Sequence, residues 1–127
     1  MSLTPKHHSE AFVALVEDAK SRIRHISLAE YKDLAAEGKA GVLIDVREES
    51  EWTAGHAAGA IHLSKGIIER DIEHHVPDRA GRMVLYCGGG YRSALAAEAL
   101  QKMGYRDVIS LDGGWRAWNE AAMPVEK

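Results

Sequence analysis

A chain with a single cysteine cannot form an internal disulfide, and Cys87 is the only cysteine among these 127 residues. A disulfide-stapled secreted scaffold is thereby excluded; a reducing compartment fits, and a cytoplasmic location is the expectation. No apolar run is long enough to cross a bilayer, and residues 1–8 lack the apolar core of a secretory leader. Positive charge is not in surplus. Sixteen Lys and Arg against 19 Asp and Glu give a net charge of −3, which removes the electrostatic case for nucleic acid. Metal-ligand spacing is missing as well. The seven histidines include two adjacent pairs, His7-His8 and His74-His75. Neighbours on a helix point about 100° apart, and no second cysteine joins them. Neither a metal nor an organic cofactor is expected. There is no internal repeat, linker or low-complexity stretch.

What remains is the composition of a soluble globular protein, 46% apolar and 28% charged, large enough for one core. Thr4-Pro5 reads as a helix start. Phe12, Leu15, Val16, Ala19 and Ile23 follow at helical spacing as one apolar stripe. Ile26 begins a short strand. Ser27-Leu28-Ala29-Glu30 is a capping box opening a helix over 28–37, stopped by Gly38. Val42 to Val46 and Met83 to Tyr86 are nearly continuous apolar runs, the pattern of strands buried on both faces. Val108 to Leu111 is another strand, and Ala60 to Leu63 a weaker one. Helices are expected at Glu48–Thr53, Ile67–His75, Arg92–Met103 and Trp115–Ala122, with a turn at Asp112-Gly113-Gly114. Strands alternate with helices, which predicts an α/β fold: a mostly parallel five-stranded sheet with helices on both faces, plus an extra N-terminal helix. Ligand sites in such sheets lie beyond the carboxyl ends of the strands, where Asp45 and Cys87 both fall.

The unusual segment is Tyr86-Cys87-Gly88-Gly89-Gly90-Tyr91-Arg92-Ser93. A strand ends at a cysteine, three glycines curl the chain, and a helix starts. Glycines let N–H groups turn inward. A helix start leaves its first N–H groups unpaired and contributes positive potential. A thiol facing that cradle is favoured as the thiolate, its reactive form.

Three segments in order resemble a single-domain rhodanese. They are Leu43-Ile44-Asp45-Val46-Arg47-Glu48 with Glu51-Trp52 and Gly55 to Leu63; Val84 to Ala94; and Val108 to Trp115 with Trp118. They span about 40 to 118, and the resemblance starts near Ile26. It divides the chain into a helical extension, 1–24, and a rhodanese-like domain, 25–127. It implies a sulfurtransferase that carries sulfane sulfur as a persulfide on Cys87. A donor such as thiosulfate loads the cysteine, and cyanide or a thiol unloads it. Gly88, Gly89, Gly90, Tyr91, Arg92 and Ser93 are then the substrate-binding loop. Arg92 points at the anion or ties back to a carboxylate such as Asp45, and the resemblance favours the tie. Arg47 is a second candidate for orienting the loop or an anionic donor, and Asp45 supports the loop. His56 and His62 are expected to bond backbone, and Lys65 and Arg70 to be solvated. The partners implied are a small anionic sulfur donor and a small-thiol or protein acceptor.

Two other readings are kept. Phosphatases and arsenate reductases of the same fold place five residues between cysteine and arginine. Here there are four, a smaller cradle suited to one sulfur atom. A non-catalytic docking or sensor module typically lacks the cysteine. The amphipathic N-terminal stretch packs on the domain itself or serves as a contact for a partner or a second protomer.

Overall fold

The structure, a computed structural model, describes residues 8–127. The expected helix start at Thr4-Pro5 lies outside the described residues. Helix α1, Glu10–Lys20, is capped by Ser9, whose hydroxyl accepts from the Phe12 N–H at 3.1 Å. Then follow β1 (Arg24–Ile26), α2 (Leu28–Ala36), β2 (Val42–Asp45), α3 (Glu49–Ala54), β3 (His56–Ala57), β4 (Ile61–His62), α4 (Ile68–His75), β5 (Met83–Tyr86), α5 (Tyr91–Lys102), β6 (Val108–Leu111), α6 (Gly114–Glu120) and β7 (Val125–Glu126).

β1, β6, β5, β2 and β4 form one five-stranded sheet in that order, every pair parallel. The three apolar runs fill its centre because strands covered on both faces must be predominantly apolar, and the polar residues they bury, Asp45 and Ser110, are hydrogen-bonded. Alternate residues face opposite ways. Ile44, Met83 and Leu85 pack with Ile68 and Ile72 of α4 and with Ala97 and Leu100 of α5. Leu43, Val84, Tyr86 and Ile109 pack with Tyr31 of α2 and Trp118 of α6 on the other side. Asp45 is in register with Tyr86, so the ends of β2 and β5 meet at one edge.

The capping box forms as expected. The Ser27 hydroxyl accepts from Glu30 N–H at 3.1 Å, and the Glu30 carboxylate accepts from Ser27 N–H at 2.9 Å. Helix α1 lies on α5 with Val16 and Ala19 buried, and Arg22 beyond its end pairs with Glu98 of α5. The apolar stripe is narrower than its spacing suggests: Leu15 is 54% exposed. A short antiparallel pair, β3 with β7, has no counterpart in the sequence reading. Two residues per strand are too few for an alternating pattern to register.

Candidate active site

Cys87 follows the last residue of the central strand β5 and is 1% exposed. Its sulfur accepts N–H groups from Gly90 at 3.1 Å and Ser93 at 3.4 Å. The thiol also lies 3.6 Å from the Ser93 hydroxyl, which in turn sits 2.8 Å from that of Ser110 on β6. Gly90 adopts φ +97° at the N-cap of α5, a conformation that costs glycine little. The loop carbonyls are turned the other way. Cys87 C=O accepts from Trp115 N–H at 2.7 Å, and Gly88 C=O from Arg116 N–H at 3.1 Å. The first turn of α6 thus takes these two carbonyls, while the N–H groups of Gly90 and Ser93 face the sulfur. That contact requires Gly114, since a Cβ there would sit 2.2 Å from the Cys87 carbonyl oxygen. The Asp112-Gly113-Gly114 turn is therefore part of the site's construction.

Arg92 does tie back to a carboxylate, but the carboxylate is Glu51 of α3. The guanidinium donates to both its oxygens, at 2.8 and 3.1 Å. This pair pulls the Glu51 carboxyl down to about 2, against the opposing effect of burial. Asp45 is unavailable to Arg92 because Arg47, two residues on, already takes it. Nε and Nη2 of Arg47 donate to Asp45 at 2.8–3.1 Å, and Nη2 also to Gly55 C=O at 2.7 Å. Arg47 is 3% exposed, with its guanidinium 4.5 Å from the Trp115 ring. Of the two expectations for Arg47, a meeting with a donor anion is corrected accordingly: the buried Asp45 carboxylate, two residues earlier in the chain, takes its guanidinium. The Tyr86 hydroxyl donates to Asp45 at 2.5 Å and accepts from Ala57 N–H at 3.0 Å. Burial first, and the Asp45 bond second, push this phenol upward. Asp45 thus anchors the end of β5 one residue before Cys87.

Above the loop lies a cavity of about 1010 Å³. Cys87, Gly88 and Gly89 border it together with Tyr91 and Arg92. Glu48, Glu51, Arg116 and, from the N-terminal segment, His8, Ser9 and Phe12 complete it. The sequence reading missed Glu51, Arg116 and Phe12. Glu51 stood in the quoted pattern but pairs across 41 residues, and Phe12 was read only as part of the N-terminal apolar stripe. Lys65 and Arg70 lie away from the cavity, and Arg70 pairs with Asp71. His56 and His62 lie within hydrogen-bond distance of the backbone carbonyls of Trp52, at 3.0 Å, and Arg47, at 2.8 Å. Among the described residues no group of three His, Cys, Asp or Glu is placed to hold a metal, and no helix is long and apolar enough to cross a membrane.

A family profile described as Rhodanese-like domain matches residues 27–121. The probable adenylyltransferase/sulfurtransferase MoeZ of Mycobacterium tuberculosis is 34% identical over 120 residues, covering 91% of this chain; the chain spans only 30% of MoeZ's length. The thiosulfate sulfurtransferase GlpE of Shewanella oneidensis is 34% identical over 101 residues, 80% of this chain and 97% of GlpE. Among solved structures, a Rhodopseudomonas palustris protein described as a possible tyrosine phosphatase superposes with a TM-score of 0.79 at 29% identity, covering 97% of this chain and 99% of that one. The polysulfide-sulfur transferase homodimer of Wolinella succinogenes gives 0.76 at 28% identity, covering 91% and 87%.

Proposed function

This chain belongs to the rhodanese-like domain family, and on that premise we propose that it is a sulfurtransferase whose Cys87 carries sulfane sulfur as a persulfide. The observation that carries the reading is a buried sulfur facing two N–H donors while the loop carbonyls point away from it. The Cys87 thiolate attacks the outer sulfur of thiosulfate. The donor S–S bond breaks, its electron pair leaves with sulfite, and the outer sulfur remains as a Cys87 persulfide anion. Cyanide or a thiolate then attacks that terminal sulfur. A new bond forms to it as the bond to the Cys87 sulfur breaks, which restores the thiolate. Sulfur is anionic before and after the first step, so donors already in place stabilise it without rearrangement.

Gly88, Gly89, Gly90, Tyr91 and Ser93 form the substrate loop, Arg92 holds its shape through Glu51, and Asp45 with Arg47 holds its base. Residues 25–127 are the domain, and 1–24 are an extension whose helix walls the cavity. Thiosulfate as donor draws on the likeness to GlpE, and polysulfide on the likeness to the Wolinella protein.

The likeness to a possible tyrosine phosphatase makes phosphoryl chemistry the rival reading. Four residues rather than five between Cys87 and Arg92 make a shorter cradle, suited to one sulfur atom rather than a tetrahedral oxyanion, which supports the sulfur-transfer reading. One preparation tests both: thiosulfate with cyanide, a generic aryl phosphate, and arsenate with a thiol reductant. Turnover is expected in the first assay alone and is abolished by Cys87→Ser. Phosphate or arsenate turnover lost in Cys87→Ser would overturn the proposal. Inactivity in all three would favour the docking-module reading.

A further inference from the structure

Ser110 interrupts an apolar face. On the side of the sheet covered by α4 and α5, the strands present Met83, Leu85 and Val108, against Ala96, Ala97 and Leu100 of α5. Ser110 lies on that same face, two residues after Val108 on β6, and is fully buried. A hydroxyl in such a place is costly unless it is hydrogen-bonded. Among the described residues it has one partner, the Ser93 hydroxyl at 2.8 Å. Ser93 is equally buried, and its hydroxyl has that partner and the Cys87 sulfur at 3.6 Å. Neither serine borders the cavity. Ser110 Oγ, Ser93 Oγ and Cys87 Sγ thus form a short row closed to solvent at its Ser110 end.

Burial fixes the direction of this row. Ser110 has one proton and one acceptor within reach, so its O–H donates to Ser93 Oγ. The reverse arrangement would orphan that proton in the core. Ser93 then has its own proton left for the sulfur. A thiolate accepts it. A thiol brings a third proton to a row with two contacts, and one proton is left without an acceptor. We propose that Ser110 is a positioning residue for Cys87: it turns the Ser93 hydroxyl proton onto the sulfur and so favours the thiolate from outside the catalytic loop. The inference rests on the sulfurtransferase reading, in which the thiolate is the attacking form. The Cys87 proton leaves to solvent through the cavity that the sulfur borders. Donors in such a chain strengthen one another, most of all when the final acceptor is charged. Facing the sulfur across the cavity are the titratable groups of Arg92, Tyr91, Glu48, Glu51, Arg116 and His8. At the end of β2, Asp45 and Arg47 pair with each other, and beside Ser110 on β1, His25 pairs with Asp112. None of these is bonded to Ser110, so a substitution there removes one hydroxyl and no charge.

The pH profile of thiolate formation tests this, followed by ultraviolet absorbance on the full chain before sulfur loading, with Cys87→Ser as the blank. In Ser110→Ala the profile is expected to move to higher pH by roughly half a unit to one unit, three- to tenfold less thiolate on its acid side. Ser110→Thr, which keeps the hydroxyl, is expected to bring it back most of the way. Thiosulfate:cyanide turnover of Ser110→Ala falls on the acid side and rejoins the parent's at high pH, where both are thiolate; a merely structural defect lowers it at every pH. Val108→Ala, on the same face of β6, is the control: it costs stability and leaves the profile where it was. In a Ser93→Ala background Ser110→Ala adds no further shift, because Ser110 acts through Ser93. A parent profile in Ser110→Ala, or the same shift with and without the Ser93 hydroxyl, would overturn the inference. Persulfide loading by thiosulfate is followed separately by mass. Loading with an unmoved profile refutes the role of Ser110 and leaves the sulfurtransferase reading intact. A moved profile without loading refutes that reading and, with it, the role of Ser110 in sulfur transfer.

Discussion

Gly114 is the residue at which the site is most sensitive to one added carbon. Its φ is +46°, and a methyl group would overlap the Cys87 carbonyl that Trp115 N–H now binds. Gly114→Ala is expected to push α6 off the loop. It should cost roughly 1–3 kcal/mol in chemical denaturation and lower thiosulfate:cyanide turnover as well; wild-type values for both would contradict the packing described. Arg92 carries the second residue-scale prediction. Arg92→Ala should reduce turnover strongly, and Arg92→Lys should recover only part of it, since an ammonium cannot meet both oxygens of Glu51. Equal rates for the lysine variant and the parent would remove the two-point role. The residues alone left open whether this arginine points at the anion or ties back to a carboxylate, and the family resemblance favoured the tie. Which carboxylate it meets was not legible, because Asp45 and Glu51 both reach the same edge and only three-dimensional packing shows that Arg47 has already occupied Asp45.

Elements with strong local signals were readable, and weak ones were not. The box at Ser27 and Glu30 started α2 where its residue types place it, and the three apolar runs became the three central strands. The β3–β7 pair joins residues almost seventy apart through two positions each, so nothing local announces it. Helix α1 was legible as a helix but not as a cavity wall: Phe12 sits on its stripe yet packs beside Tyr91 at the cavity's border. The two kinds of element should respond differently to mutation. Ser27→Ala, outside the cavity lining and two strands across the sheet from Cys87, should cost about 1 kcal/mol in denaturation with turnover unchanged. A loss of turnover out of proportion to that cost would show that α2 couples to the site.

Across the whole molecule, the parallel sheet puts β5 between β6 and β2 and so delivers Cys87 to the middle of the carboxyl edge, with α5 and α6 presenting their first turns to it from opposite faces. The buried Arg47–Asp45 pair locks β2 to that edge. Arg47→Ala leaves a carboxylate buried without its partner and should destabilise the fold by about 3–5 kcal/mol. Destabilisation below 1 kcal/mol would contradict that account. Acid acts elsewhere. Glu51 titrates at about 2 in the fold against an ordinary 4.5, so its contribution is fully present above about pH 4.5 and is lost as pH falls toward 2. Because the pair is about one-third exposed, that contribution is under about 1 kcal/mol, and Glu51→Gln should flatten this part of the stability–pH curve by no more than that.

The central claim is that sulfur rides on Cys87, and intact-mass measurement after incubation with thiosulfate tests it most directly. With one cysteine in the chain there is one place for a persulfide. The account predicts a gain of one sulfur atom per chain, removed by cyanide or reductant and absent in Cys87→Ser. An unchanged mass with both thiosulfate and polysulfide, or a gain that survives in Cys87→Ser, would contradict it.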